Sequence, residues 1–224
     1  MIKNISNLGD AALYCDFGDE VNKDINSQVI KYFRSLKGRN IEGIINLTPS
    51  YNKLIISFDL NKINFKGIKK LIENENMSEI DENFVKKIEI PICCEDTFAL
   101  DIKRLESKLS LKKEKIYESF FEKEYFCYMT GFIAGMPFLG DLEKNLRLNR
   151  LDTPRVKVPK GSVGLTEQFA NIYTYESPGG WNIIGNTPLK IFDSSKEKNP
   201  NLINPGDTVK FKKISLEEYG NFNE

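Results

Sequence analysis

Two short runs hold the groups best suited to chemistry. One is Pro154-Arg155-Val156-Lys157-Val158-Pro159-Lys160-Gly161-Ser162. The other is Glu176-Ser177-Pro178-Gly179-Gly180-Trp181, which ends on the only Trp of the chain. Read as a strand, the first run puts Arg155 and Lys157 on one face. Two cations on one face suit a carboxylate or a phosphate, and Arg can grip such a group through two parallel hydrogen bonds. The same cations would serve equally on a solvated strand edge, where charge opposes aggregation. In the second run a proline fixes one backbone position and two glycines free the next two, which reads as a tight turn. A large amphipathic ring beside that turn can wall a pocket, and a hairpin with a packed Trp accounts for it as well. Glu176, directly before Ser177, can orient a ligand, take a proton or cap backbone amides. Gly131 to Gly135 and Gly161-Ser162-Val163-Gly164 are further glycine turns. Their amides can face an anion or a carbonyl, or they can simply form barrel corners. Asp101 and Asp141 are weaker carboxylate candidates.

Composition narrows the chemistry. The 224 residues include no histidine. Ser-His-Asp and Cys-His catalysis are therefore excluded within this chain, as is any metal site that needs an imidazole. Proton transfer must use Asp, Glu, Lys, Tyr, Cys, backbone or water, or a partner chain. Neither a Walker A run nor a G-x-G-x-x-G fingerprint occurs. The formal net charge is zero, so no global field draws nucleic acid or an anionic membrane. Cys15, Cys93, Cys94 and Cys127 form no CxxC pair and read as buried free thiols in a reducing compartment. No apolar run reaches membrane-spanning length and the N-terminus lacks a signal core, so a cytoplasmic location is expected.

The elements that must position these residues fall into two textures. Residues 11–17, 41–47, 54–58 and 84–90 read as strands. Val21, Ile25, Val29, Phe33 and Leu36 mark a helix over 19–36 ended by Gly38, and Phe65, Ile68, Leu71 and Ile72 mark a second. The order β-α-β-β-α-β is the ferredoxin-like arrangement. Residues 97–107 and 109–120 read as charged helices, the second capped by Ser110. Beyond them, short apolar runs alternate with Gly, Pro and Asn at 125–131, 155–158, 163–165, 172–175, 181–184, 189–192 and 208–211, which suggests a β-barrel or sandwich.

Several of these runs carry a resemblance. They are Gly131-Phe132-x-x-Gly135, Leu139-Gly140, Pro154-Arg155-x-x-Val158-Pro159-x-Gly161-Ser162-Val163-Gly164 and Tyr173-x-x-Glu176-Ser177-Pro178-Gly179-Gly180-Trp181-x-x-Ile184-Gly185-x-Thr187-Pro188. Gly9-Asp10-Ala11-Ala12-Leu13, Ile90-Pro91-Ile92-Cys93 and Pro205-Gly206-Asp207-x-Val209 extend it. The chain resembles, over nearly its whole length, the family of KipI, the 5-oxoprolinase B subunit (PxpB) and the first subunit of allophanate hydrolase. That resemblance implies an α+β protein with a small ferredoxin-like α/β domain over residues 1–86 and a cyclophilin-like β-barrel domain over 87–224. It implies a 5-oxoprolinase B subunit, active only with A and C subunits and using ATP, with Mg, to open 5-oxoproline to glutamate. The alternatives it carries are an inhibitor of a sensor histidine kinase and half of an allophanate hydrolase or carboxyltransferase-type enzyme. Under it, Arg155 and Glu176 are the expected catalytic residues. Gly131, Gly135, Lys157, Gly161, Ser162, Ser177, Gly179, Gly180 and Trp181 are expected to bind substrate or nucleotide, and no metal is expected. Arg155→Ala is expected to abolish turnover with the fold intact. Relatives usually read Pro-Gly-Phe at Ala134-Gly135-Met136, Cys-Tyr-Gly-Gly at Cys93-Cys94-Glu95-Asp96, and a His at Phe120.

Overall fold

The computed structural model describes residues 2–74 and 85–222. The chain divides into two compact units, Met1–Phe84 and Val85–Glu224.

The first unit contains β1 (Asn4–Asn7), β2 (Ala12–Asp16), α1 (Lys23–Arg39), β3 (Ile44–Pro49), β4 (Lys53–Phe58) and α2 (Phe65–Glu73). Its sheet is antiparallel throughout, in the order β1-β2-β4-β3. The helices bury Val29, Leu36, Ile68 and Ile72 against Leu13, Cys15, Leu54, Ile56 and Phe58. Side-chain caps set where they begin: Asn22 accepts from the Ile25 N–H at 2.9 Å and Asn64 from the Gly67 N–H at 3.0 Å. Thus α1 begins after Asn22 rather than near residue 19. It runs past Gly38 and stops where Asn40 turns left-handed at φ 44°.

The strand expected over 84–90 requires a correction. Phe84 lies outside the described residues, and the strand that follows it belongs to the second unit. The edge place beside β2, which a strand after α2 takes in a ferredoxin-like sheet, is filled by β1 through a hairpin, Asn4 opposite Asp16 and Asn7 opposite Leu13. The layout is therefore ferredoxin-like with its last strand moved to the front.

The second unit contains β5 (Lys87–Cys93), α3 (Ile102–Leu109), α4 (Lys113–Glu122), β6 (Glu124–Thr130), β7 (Pro137–Gly140), β8 (Arg155–Val158), β9 (Ser162–Thr166), β10 (Phe169–Ile172), β11 (Ser177–Gly179), β12 (Asn182–Asn186), β13 (Thr208–Ile214) and α5 (Leu216–Gly220). Seven strands close a barrel in the order β10-β7-β6-β13-β5-β12-β9, while β8 and β11 form a separate two-stranded ribbon. β5 pairs parallel with β13 along its length, from Thr208 opposite Lys87 to Ile214 opposite Cys93. The interior is filled by Ile90, Ile92, Cys127, Leu139, Val163, Leu165, Ala170, Ile172, Ile184, Val209 and Phe211. The fold class is α+β with a closed barrel, as expected from the sequence. Among the described residues no helix is long and apolar enough to cross a membrane.

Local readings differ at four places. Ser110 does not cap α4; it closes α3 in a left-handed turn at φ 54°. The Glu106 carboxylate reaches over instead and accepts from the Lys113 N–H at 2.8 Å. The run 189–192 makes a single bridge, Phe192 with Asn201. The run 172–175 leaves the barrel after Ile172. The supposed turn at Ser177-Pro178-Gly179 is itself strand β11, with Pro178 exposed where its missing N–H costs nothing.

Candidate functional site

Alternation along the barrel strands sends Leu139, Val163, Leu165, Ala170, Ile172 and Ile184 into the core. Phe138, Gly164, Asn171 and Ile183 stand between them and so face the other way. On that outer face lies a second, small cluster of Met136, Val158, Tyr173 and Ile183, with Ile133, Phe138 and Trp181 packed against it. Val158 is contributed by the β8–β11 ribbon, so the ribbon covers the cluster. Trp181 and Phe138 meet edge to face, with centroids 5.6 Å apart. A Cβ on Gly179 would stand 2.8 Å from Tyr173 Cζ. Gly179 is required there so that the ribbon can lie on the tyrosine ring.

Arg155 opens β8, opposite Gly179. Its Nη2 donates to Asp101 Oδ1 at 2.6 Å, with the Asp side chain only 6% exposed and the Arg side chain 27%. Asp101 precedes α3 but makes no side-chain cap to it. Its other oxygen accepts from the Ile183 N–H at 2.7 Å, and its own N–H donates to the Ile183 carbonyl at 2.9 Å. Two residues of β12 thus take part in holding α3: Ile183, and Asn182, which accepts from Arg104 Nη1 at 2.8 Å. Among the described residues, Arg155 Nη1 is buried without a hydrogen-bond partner, as are Ser177 Oγ and Asn171 Oδ1. Buried polar atoms left unpaired are rare and costly, so three around one cluster call for a cause. Tyr173 is raised in pKa, chiefly by burial. The Asn171 side chain, the Trp181 amide and the Arg155 charge oppose that rise. Trp181 packs against the cluster that holds Tyr173, and Gly179, which lies on the Tyr173 ring, stands opposite Arg155 in the ribbon, so Arg155 and the indole lie on the same side of the barrel.

Lys157 does not join Arg155. Its Nζ lies 3.0 Å from Glu176 Oε1, with both side chains more than half exposed. The alternation fails because β8 is bulged: Arg155 opposes Gly179 and Val158 opposes Ser177, three steps against two. Val156 and Lys157 consequently both face solvent. At such exposure the Lys157–Glu176 pair contributes little.

The glycine turns spend their amides internally. Gly161 N–H donates to the Tyr173 carbonyl at 2.7 Å and Gly131 N–H to the Met136 carbonyl at 3.0 Å. Ser162 is buried, and its N–H reaches the Pro159 carbonyl at 3.2 Å. Gly180 accepts from the Leu151 N–H at 2.6 Å. Gly135 serves shape, with φ +70° and a phenyl ring where its Cβ would go: Phe192 Cδ2 would lie 2.5 Å away. Gly135→Ala is therefore expected to destabilise by about 3 kcal/mol, measured by thermal unfolding.

The remaining candidates are structural. Tyr128 donates to Asp141 at 3.0 Å. Phe120 is fully buried and stacks on Phe211 at 4.9 Å. Asp96 pairs with Lys113 at 2.6 Å. All four cysteines are free and buried. Burial pushes the Cys15 and Cys94 thiols up to about 12, and Cys127 higher, so they stay protonated at neutral pH. Sequence reasoning named Asp101 only weakly and missed Asn171 and Tyr173. The polar residue Asn171 inside an otherwise apolar strand was an available signal; Asp101 gave none, because the sequence reads it inside a helix over 97–107, whereas the structure starts α3 at Ile102.

The family model described as carboxyltransferase domain, subdomain C and D, matches residues 3–203. The 5-oxoprolinase B subunit of Bacillus subtilis is 32% identical over 98% of this chain and 96% of its own length. The urea amidolyase of Saccharomyces cerevisiae is 23% identical over 96% of this chain, which corresponds to 13% of that protein. Among solved structures, TTHA0988 superposes with a TM-score of 0.82 at 27% identity over 91% of this chain. This chain spans 40% of the length of that one.

Proposed function

Because this chain belongs to the carboxyltransferase domain, subdomain C and D, family, we propose that it is the B subunit of an ATP-dependent 5-oxoprolinase, and that its site on the outer barrel face holds the substrate. The observation that carries this reading is the Arg155 guanidinium: one nitrogen is fixed on a buried carboxylate and the other, Nη1, has no hydrogen-bond partner among the described residues. A substrate carboxylate satisfies that nitrogen. Ser177 Oγ and Asn171 Oδ1 offer a hydroxyl and an amide oxygen to the other polar atoms of a small lactam. Phe138, Trp181 and Tyr173 supply its apolar wall. The likeness to the Bacillus subtilis protein over nearly both full lengths favours this substrate.

The chemistry asked of the complex is definite. A five-membered lactam is unstrained and stabilised by resonance, so water alone opens it slowly. Transfer of a phosphoryl group from ATP to the lactam oxygen makes the carbonyl carbon electrophilic. Water then adds there and the C–N bond breaks with nitrogen taking a proton, which leaves an acyl phosphate; a second water attacks that group, releasing phosphate and forming the side-chain carboxylate of glutamate. ATP with Mg enters as co-substrate of the assembled enzyme. The amides of Gly131 and Gly161 are already engaged, so these turns do not form a phosphate cradle, and this chain's share is to hold and orient the substrate. Completion by A and C subunits fits the apolar groups left in solvent, Phe132 at 71% and Val156 at 81% exposure.

The test is reconstitution. Glutamate formation from 5-oxoproline and ATP is expected when this chain is combined with A and C subunits, and from no mixture lacking it. Equal turnover by A and C subunits alone would refute the proposal. The urea amidolyase likeness favours a second reading, a half of a carboxyl-transferring enzyme. Biotin-dependent activity in the same assay would select it.

A further inference from the structure

We propose that Asp101 is a positioning residue for substrate binding, acting through Arg155; the inference rests on the reading of Arg155 as the group that grips the substrate carboxylate. Asp101 is 5% exposed, and both of its carboxylate oxygens are committed: one takes Arg155 Nη2 at 2.6 Å and the other takes the Ile183 N–H at 2.7 Å. The backbone of Asp101 adds a third tie, its N–H to the Ile183 carbonyl at 2.9 Å. The carboxylate is thereby fixed to β12, the strand that follows directly on Trp181.

This arrangement restricts Arg155 in a particular way. A guanidinium is a planar fork, so fixing one nitrogen fixes the plane of the other. Arg155 begins a bulged strand in a two-stranded ribbon that is not part of the barrel's strand ladder. Without Asp101, Arg155 would be free to swing into solvent, as Lys157 does two residues on. Holding Nη2 leaves Nη1 as the unpaired donor beside Tyr173. An Asp that begins a helix without capping it, and instead binds a distant strand and an Arg, is placed for orientation rather than for helix stability. Its charge also balances the guanidinium, so the free site carries no unpaired buried cation.

Asp101→Asn separates the two roles. Asn retains an oxygen for the Ile183 N–H but weakens the charged grip on Arg155. In the reconstituted complex, Asp101→Asn is expected to raise the KM for 5-oxoproline about tenfold with kcat within about threefold. A merely structural residue would lower kcat with the active fraction and leave KM unchanged. Asp101→Glu, which keeps the charge but pushes the guanidinium outward by a methylene, is expected to raise KM severalfold. It supplies the answer if Asp101→Asn does not fold. An unchanged KM in whichever of these variants assembles, beside an active wild type, would overturn the inference and leave the site reading standing. A wild-type complex without 5-oxoprolinase activity would overturn both.

Discussion

Arg155→Ala is expected to lower kcat/KM for 5-oxoproline in the assembled complex about a thousandfold, close to 4 kcal/mol. Two losses combine. The substrate carboxylate loses a charge-assisted, oriented partner. The Asp101 carboxylate, no longer neutralised, then faces an anionic substrate from within the same site. The same variant is expected to cost stability, contrary to what sequence alone suggested, because it leaves a buried charge with only the Ile183 N–H to stabilise it. Removing one partner of a fully buried pair costs about 3–5 kcal/mol, and the partial exposure of Arg155 reduces this to about 2 kcal/mol. In a unit of this size that corresponds to roughly 6 °C in Tm.

The pairing has a signature that separates it from a simple loss of charge. In wild type, Asp101→Asn is expected to be harmful. In the Arg155→Ala background it is expected to be beneficial, returning about half of the lost stability and about tenfold in kcat/KM, since it removes the bare carboxylate. Arg155→Lys keeps a cation for Asp101 but not the fork, so Tm should hold within about 3 °C while kcat/KM falls about a hundredfold. Thermal unfolding and steady-state kinetics on the four variants check the set. Additive effects of the Arg155 and Asp101 changes would mean that the 2.6 Å contact has no functional consequence.

Gly179→Ala is the second large effect expected. The cause is steric. The added Cβ would lie 2.8 Å from Tyr173 Cζ and 2.9 Å from Cε1, with the hydroxyl oxygen nearer still. The ring cannot swing away, because Tyr173 is 1% exposed and packed among Met136, Val158 and Ile183. The ribbon must lift or the cluster must open, at about 3 kcal/mol. Lifting the ribbon moves Arg155, which stands opposite Gly179, so kcat/KM is expected to fall along with Tm. Tyr173→Phe in the same chain removes the nearest atom and should return about half of the stability. A Tm unchanged by Gly179→Ala would mean that the ribbon does not rest on this ring.

Much of the fold was legible because it is written in local pattern. The spacing of Val29, Leu36, Ile68 and Ile72 shows two helices and the face each buries. The dense alternation of short apolar runs with Gly and Pro after Tyr125 points to a β-barrel or a sandwich, and the strand pairing closes it as a barrel. What local pattern cannot show is which strands pair. The run after residue 84 looks like the end of the first sheet, yet β13 offers it a full parallel partner and β1 already occupies the sheet edge.

Of the candidate site, the sequence showed residue types but not contacts. Arg155 opposes Gly179 in the ribbon, and Gly179 and Trp181 both lie against the Tyr173 cluster. The pairing of Arg155 with Lys157 fails on a bulge, and a bulge leaves no mark in a sequence where both flanking residues are β-branched. The role of the glycines was also misread in kind. They admit neighbouring side chains, the Phe192 ring at Gly135 and the Tyr173 ring at Gly179, more than they offer amides to a ligand. Asp101 lies 54 residues from Arg155 in the chain, and only the closed barrel brings them to hydrogen-bonding distance.

The most direct measurement is a titration of the full chain with 5-oxoproline followed by the emission of Trp181, its sole indole. A saturable change in wild type, shifted to at least tenfold higher concentration in Arg155→Lys, is the expected result. No change at any concentration, or the same midpoint in both proteins, would contradict a substrate site built on Arg155 and the indole.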